Sequence, residues 1–300
     1  YLALSIVTLQ RIHGENHPLI AETMGYLSAA YGGLSDYKEQ MRIVEDALKM
    51  MGQYCEATDH RMLDLFVRQA NTYAALFMPE KQREILEDCL PKLIKYYGQE
   101  DGQVANVLNC LGYAYGSCDP KQYPTVNLLD KKRSVVERSL AIHEKLYGPF
   151  SIAVSLVKVN LADTYGEMGF YVKMKKLSLA VVNAVEEAVG RQNPHYAWVL
   201  LYLAKSFGFE GDQDKQRALL YESIGITQTI EGSDDSYVQA LLQLKEIDDP
   251  NDKALKVTKL EQLIAFRCKK FGEKDEGVEE LRVQLNSLKA KKRKGNCLCM

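Results

Sequence analysis

GQEDGQVANVLNCLGYAYGS, residues 98–117, is the stretch whose reading decides the fold. Ala105, Leu108, Leu111, Gly112 and Tyr115 recur at steps of three and four. That is the spacing of one apolar face of an α-helix. A second helical pattern follows in SVVERSLAIHEKLYG, residues 134–148, and Gly148 supplies a left-handed stop. The unit therefore reads helix, turn, helix.

The same unit recurs along the chain. An aromatic followed by a small residue stands at Tyr31-Gly32, Tyr73-Ala74, Tyr115-Gly116, Tyr165-Gly166 and Phe207-Gly208, in steps of 42, 42, 50 and 42. Half a unit later come Ala47, Cys89, Ser139, Val181 and Ser223. A third series is the glycine that opens each unit: Gly14, Gly98, Gly148, Gly190, Gly232 and Gly272, with Glu56 in the missing place. Three series sharing one period are the signature of a repeat architecture. Met24, Phe66 and Leu200 match Leu108; Leu27, Leu161 and Leu203 match Leu111; Lys158 and Gln69 break the apolar rule. One helix pair cannot bury its apolar face alone, so the pairs stack into a continuous core. The eight extra residues between Tyr115 and Ser139 contain Asp119-Pro120 and Tyr123-Pro124, a loop signal near residues 116–131.

GENHPLIAETMGYLSAAYGGLSDYKEQMRIVEDALKM, residues 14–50, resembles the 42-residue tetratricopeptide repeat (TPR) unit of the kinesin light chain type, G-x-x-HP-x-x-A…LA-x-LY…G-x-Y…AL. VNLADTYGEMGFY, residues 159–171, is similar to the core of that unit's first helix, with Asn160, Leu161 and Ala162 as its Asn-Leu-Ala. The resemblance implies an all-α, right-handed α-solenoid of TPR helix-turn-helix repeats. The expected organisation is the end of a preceding helix over 1–13 and about six repeats over 14–272. A capping helix over 273–288 and a polybasic tail over 289–300 follow. The repeat at 232–272 is degenerate, because Asp249 stands where the aromatic belongs.

Composition narrows the function. The 300 residues carry 38 basic and 40 acidic side chains, so no general field draws in nucleic acid, and none is expected as a partner. No apolar run reaches the roughly 20 residues of a membrane helix, and no signal-peptide pattern opens the chain. Seven scattered cysteines argue against a disulfide framework and for a reducing, cytoplasmic setting. The chain starts at Tyr1 rather than Met, which points to a fragment or a processed form. His13 and His17 in HGENH lie in an inter-unit turn, not on a zincin helix. No phosphate-binding loop and no nucleophile elbow is found. The expectation is a non-enzymatic protein with no metal and no cofactor.

In such a stack the first helix of each unit lines the inner face. Register counting places Arg68, Asn71, Asn106, Tyr113, Asn160, Asp163, Trp198, Tyr202 and Lys205 as candidates for a peptide-binding groove, and the resemblance to kinesin light chain repeats adds Asn109. Amides and arginine suit a peptide backbone or acidic groups, and tryptophan and tyrosine offer flat apolar area. In the kinesin light chain type, the asparagine of Asn-Leu-Ala holds peptide backbone. Asn160 keeps that place and Asn109 is one residue off. The small residue after each aromatic has two readings: close helix packing, or room for a ligand backbone.

The tail, KAKKRKGNCLCM, also has two readings. Cys297 stands fourth from the end with Met300 last, the pattern of a farnesylation (CaaX) box, although Cys299 replaces the usual aliphatic residue. Lys289, Lys291, Lys292, Arg293 and Lys294 would then add about 1 kcal/mol each at an anionic membrane, the second signal that a single lipid needs. The other reading is a nuclear localisation signal or a solubilising tail. Taken together, the sequence predicts a scaffold or adaptor that holds a protein or peptide partner, with prenylation as its route to a membrane. Two rival classes stand beside it: a kinesin light chain-like cargo adaptor, and the regulatory or sensor half of a larger nucleotide-switch protein.

Overall fold

The structure, a computed structural model, describes residues 1–34, 36–118 and 125–227, with single positions and short runs between 240 and 286. Eleven helices have bounds among the described residues, and no strand occurs there. The chain divides into two compact units. Unit 1, Tyr1–Gly169, holds α1 (Leu2–His13), α2 (Pro18–Gly33), α3 (Tyr37–Met51), α4 (His60–Ala75), α5 (Pro79–Tyr97), α6 (Gly102–Ser117), α7 (Thr125–Tyr147) and α8 (Ile152–Glu167). Unit 2, Phe170–Met300, holds α9 (Tyr171–Val189), α10 (Pro194–Phe209) and α11 (Gln213–Thr227). The fold class is the all-α solenoid of helix-turn-helix repeats. We call the even-numbered helices A and the odd-numbered ones B.

Each A helix starts on a side-chain cap at the same place in its repeat. His17, Asp59, Asp101, Ser151 and Asn193 accept from the backbone N–H of Leu19, Arg61, Gln103, Val154 and His195. Each satisfies one of the first-turn donors that have no partner inside the helix. The glycines that close α1, α5, α7 and α9 have positive φ, between 75 and 93°. Their ψ values of 177, 167 and 172° at Gly14, Gly98 and Gly190 put them in the extended positive-φ region rather than the left-handed helical one. That region is open essentially to glycine alone, so the stop is sharper than a left-handed cap.

Repeat-to-repeat contacts follow the sequence series. The Tyr115 hydroxyl donates to Glu87 (2.8 Å) and the Tyr165 hydroxyl to Glu137 (3.3 Å), each 28 residues back on the preceding B helix. Ser139 Oγ donates to the Ala105 carbonyl and Ser223 Oγ to that of Ala197, fixing a B helix to its own A helix. Leu63, Leu86, Leu93, Leu108, Leu111 and Leu128 form one core in unit 1. In unit 2, Leu201, Leu220, Leu244, Leu260 and Leu281 form another. Lys158, which breaks the apolar series, reaches Glu144 and the Pro149 carbonyl, both at 2.9 Å.

The stretch expected as a loop near 116–131 is in part helix. Helix α7 begins at Thr125 and runs 23 residues, against 15 in α3. Leu128 explains it, because extending the helix buries this side chain in the unit 1 core.

Candidate functional site

In unit 1 the A helices touch one another in sequence: α2 with α4, α4 with α6, α6 with α8. Among the described residues, α3, α5 and α7 touch only A helices. The A helices therefore form the inner side of this unit. Across the A–B crossings the small residues are filled from within. A Cβ on Gly32 would meet the Gln40 amide, and one on Gly116 the Lys132 ammonium. In unit 2, Gln216 covers Gly208 in the same way. At Gly32, Gly116 and Gly208 the two readings of the small residue thus resolve in favour of packing.

At the α2–α4 end of the inner face, the Arg68 guanidinium lies 5.3 Å over the ring of Tyr26, which is exposed. Gly25 permits this: the place a Cβ would take is filled by Leu65 at 3.0 Å and Arg68 Nε at 3.6 Å. Glu22, Tyr26, His60, Arg61, Asp64 and Arg68 line a hollow of about 150 Å³. Arg61 is committed to Asp59 (3.0 Å) and faces Glu22 at 3.8 Å. Its hydrogen bond holds the Asp59 carboxyl well below the usual carboxylate range. Burial pushes Asp64 the other way, upward.

Further along the face, Asn71 and Asn106 are exposed, and Tyr113 is 41% exposed. Asn106 also meets His143 of α7, Oδ1 to Nε2 at 3.2 Å. Asn160 departs from its expected place. It is buried at 2% exposure, and its amide donates to Asn109 Oδ1 (3.0 Å) across the α6–α8 seam. The register reading set Asn160 on the open face, but its side chain is spent on packing, with the side-chain oxygen of the half-buried Asn109 as its acceptor. Asp163 and Glu167 of α8 both pair with Lys132, at 3.6 and 2.8 Å. The lysine side chain is only 4% exposed.

In unit 2, Trp198 and Tyr202 meet edge to face at 5.0 Å. Both are partly buried against the Leu201 and Leu220 core, and Lys205 is half-buried on the same helix. The ten candidates therefore split into a set of seven in unit 1 and a set of three in unit 2. His13 and His17 stack at 4.3 Å in the α1–α2 turn, where His17 is the α2 cap. Among the described residues no cluster of three or more metal-ligating side chains occurs. Cys297 and the basic residues Lys289, Lys291, Lys292, Arg293 and Lys294 lie outside the described residues.

Sequence reading missed Lys132 and His143. Their signal was present in the register. Lys132 stands where other repeats have Gln40, Gln82 and Gln216, and His143 where they have Met51, Leu93 and Val185.

No family model matches the sequence, and no curated protein matches it. Solved structures do match the fold. Kinesin light chain TPR-like repeats from Podosopora anserina superpose with a TM-score of 0.57 and 17% identity, over 72% of this chain and 99% of that one. BtubC (BKLC) from P. vanneervenii gives 0.59 and 17%, over 77% and 90%. The quorum sensor NprR from B. thuringiensis, in its apo form, gives 0.58 and 12%, over 94% and 80%. Period, caps and stacking agree with these superpositions: the chain has the TPR-like repeat fold that kinesin light chain repeats also have.

Proposed function

We propose that the protein is a non-enzymatic interaction scaffold that holds an extended segment of a partner protein along the A-helix face of unit 1. One observation carries the reading. Asn71, Asn106 and Tyr113 stay exposed on helices whose other faces are committed to packing. Exposed amides beside a tyrosine and a stacked arginine are the groups that take peptide backbone and flat or acidic side chains. Asn160, Trp198 and Tyr202 drop out as test positions, because truncating packed side chains would unsettle the fold. The test is co-purification from the native cell. Alanine at Arg68, Asn71, Asn106 and Tyr113 together should strip the partners that the unaltered protein retains. Alanine at Arg42, on α3 away from that face, should leave them bound. Partners that survive the fourfold change defeat the proposal.

Membrane tethering is a separate proposal. It rests on the sequence of the tail alone. Where the native chain ends at Met300, Cys297 Sγ would carry a farnesyl thioether, with loss of the last three residues. The intact mass of the native protein decides it, and an unmodified Met300 terminus rules it out.

A further inference from the structure

His143 lies in the core of the α6–α7 pair, where the neighbouring repeats bury Leu93 and Val185. A histidine there has two ring nitrogens to satisfy. Nδ1 is 2.9 Å from the Ser139 carbonyl and 3.2 Å from the Ser139 hydroxyl. That hydroxyl gives its own proton to the Ala105 carbonyl, so toward the ring it accepts. Both Ser139 groups are thus acceptors, and Nδ1 must carry a proton. Nε2 faces the side chain of Asn106 at 3.2 Å. A neutral imidazole donates through one nitrogen only, so its Nε2 needs a donor opposite. An imidazolium donates through both, so its Nε2 needs an acceptor. The Ser139 carbonyl is fixed by the helix. The Asn106 amide is the partner able to answer, because a half-turn about its terminal bond exchanges oxygen for NH₂.

We propose that His143 is a positioning residue that sets which end of the Asn106 amide faces the groove, and that its protonation reverses the setting. With His143 neutral, Asn106 Nδ2 donates to the ring and Oδ1 is turned outward as an acceptor. With His143 charged, Oδ1 accepts from the ring and the NH₂ is turned outward as a donor. The groove thereby changes its hydrogen-bonding sense at one site, buried histidine driving exposed asparagine. The charged groups on the elements packed against α7 near His143 are already engaged. Glu144 pairs with Lys158 of α8, and Lys145 with Glu100 ahead of α6. Asp101 caps α6, and the Tyr147 ring lies 5.8 Å from the imidazole. The contribution to partner binding rests on the groove reading above; the amide reversal itself does not.

The experiment is an NMR pH titration of the full chain, followed through the ionisation of the His143 ring. The Asn106 side-chain amide is assigned by its loss in Asn106→Asp. Its resonances should shift sigmoidally, with the midpoint of the His143 ring signals, and should stay flat in His143→Leu. An amide that is flat in the unaltered protein, or whose midpoint differs from that of the ring, overturns the proposal. Those two measurements decide it even if His143→Leu does not fold. No partner is present in the tube, so a failed groove reading leaves this result standing, and the reverse holds too.

Discussion

The α4–α5 and α6–α7 repeats have one backbone plan and two chemistries. At the place that covers the small residue of the A helix, α5 has Gln82 and α7 has Lys132. At the B-helix core place, α5 has Leu93 and α7 has His143. Both replacements in α7 are polar, both are buried, and both are answered from the inner face. Lys132 is answered by Asp163 and Glu167, and His143 by Asn106. A buried charge or ring nitrogen needs a partner of matching sense. The α6–α7 core is therefore chemically tied to the groove, whereas the same two places of α5 hold a neutral amide and a leucine.

The largest effect should come from breaking the charged seam. Lys132→Ala leaves Asp163 and Glu167 without their buried cation and opens a void over Gly116. It should lower stability by about 2–3 kcal/mol, less than the roughly 3–5 kcal/mol of a fully buried pair because both carboxylates are partly exposed. Lys132→Gln keeps the cover over Gly116 and should cost about 1 kcal/mol. Gln40→Ala, the same truncation in a neutral seam, should also cost about 1 kcal/mol. Urea unfolding measures all three. Equal losses for Lys132→Ala and Gln40→Ala would remove the distinction between the seams.

Much of this was legible in the chain. The 42-residue period located the helices, since the jobs of Tyr115, Ser139 and Gly98 recur at Tyr165, at Ser223, and at Gly14, Gly148 and Gly190. Exposure at Asn71, Asn106 and Tyr113 also follows from register. Asn160 did not, because its burial depends on Asn109, 51 residues away on another helix. Lys132 reads as one more lysine in a solvated run until Gly116 and Glu167 are set around it. Helical spacing tells which face a residue shares; the next repeat decides what that face meets.

A smaller effect, opposite in sign, is expected on the α4–α5 side. Phe77 is 86% exposed and holds a φ of 57°, at the turn where Gly169 and Gly211 stand in later repeats. A non-glycine residue with positive φ costs about 1–2 kcal/mol, and glycine returns part of that as chain entropy in the unfolded state. Phe77→Gly should therefore raise stability by about 0.5–1 kcal/mol, read as a higher urea midpoint with unchanged slope. A lower midpoint would mean that the ring makes contacts worth more than the strain.

The smallest effect separates the caps of the two repeats. Asp59 and Asp101 cap α4 and α6 alike, but Asp59 also pairs with Arg61, where α6 has Gln103. Asparagine caps nearly as well as aspartate, so Asp59→Asn removes the ion pair and spares the cap. The cost at neutral pH should stay below about 1 kcal/mol, because the pair is partly in water. Its pH dependence is the sharper reading. Arg61 depresses the Asp59 carboxyl in the folded state, so the stability it contributes is complete above the unfolded carboxylate range, about 3.9. That contribution is lost as pH falls toward the folded value. The gap between Asp59→Asn and the unaltered protein should therefore close below roughly pH 4, and Asp101→Asn should show a smaller gap at neutral pH. A gap at Asp59 that holds constant into acid would mean that the carboxylate acts through its cap alone, and the two repeats would then start their helices by the same chemistry.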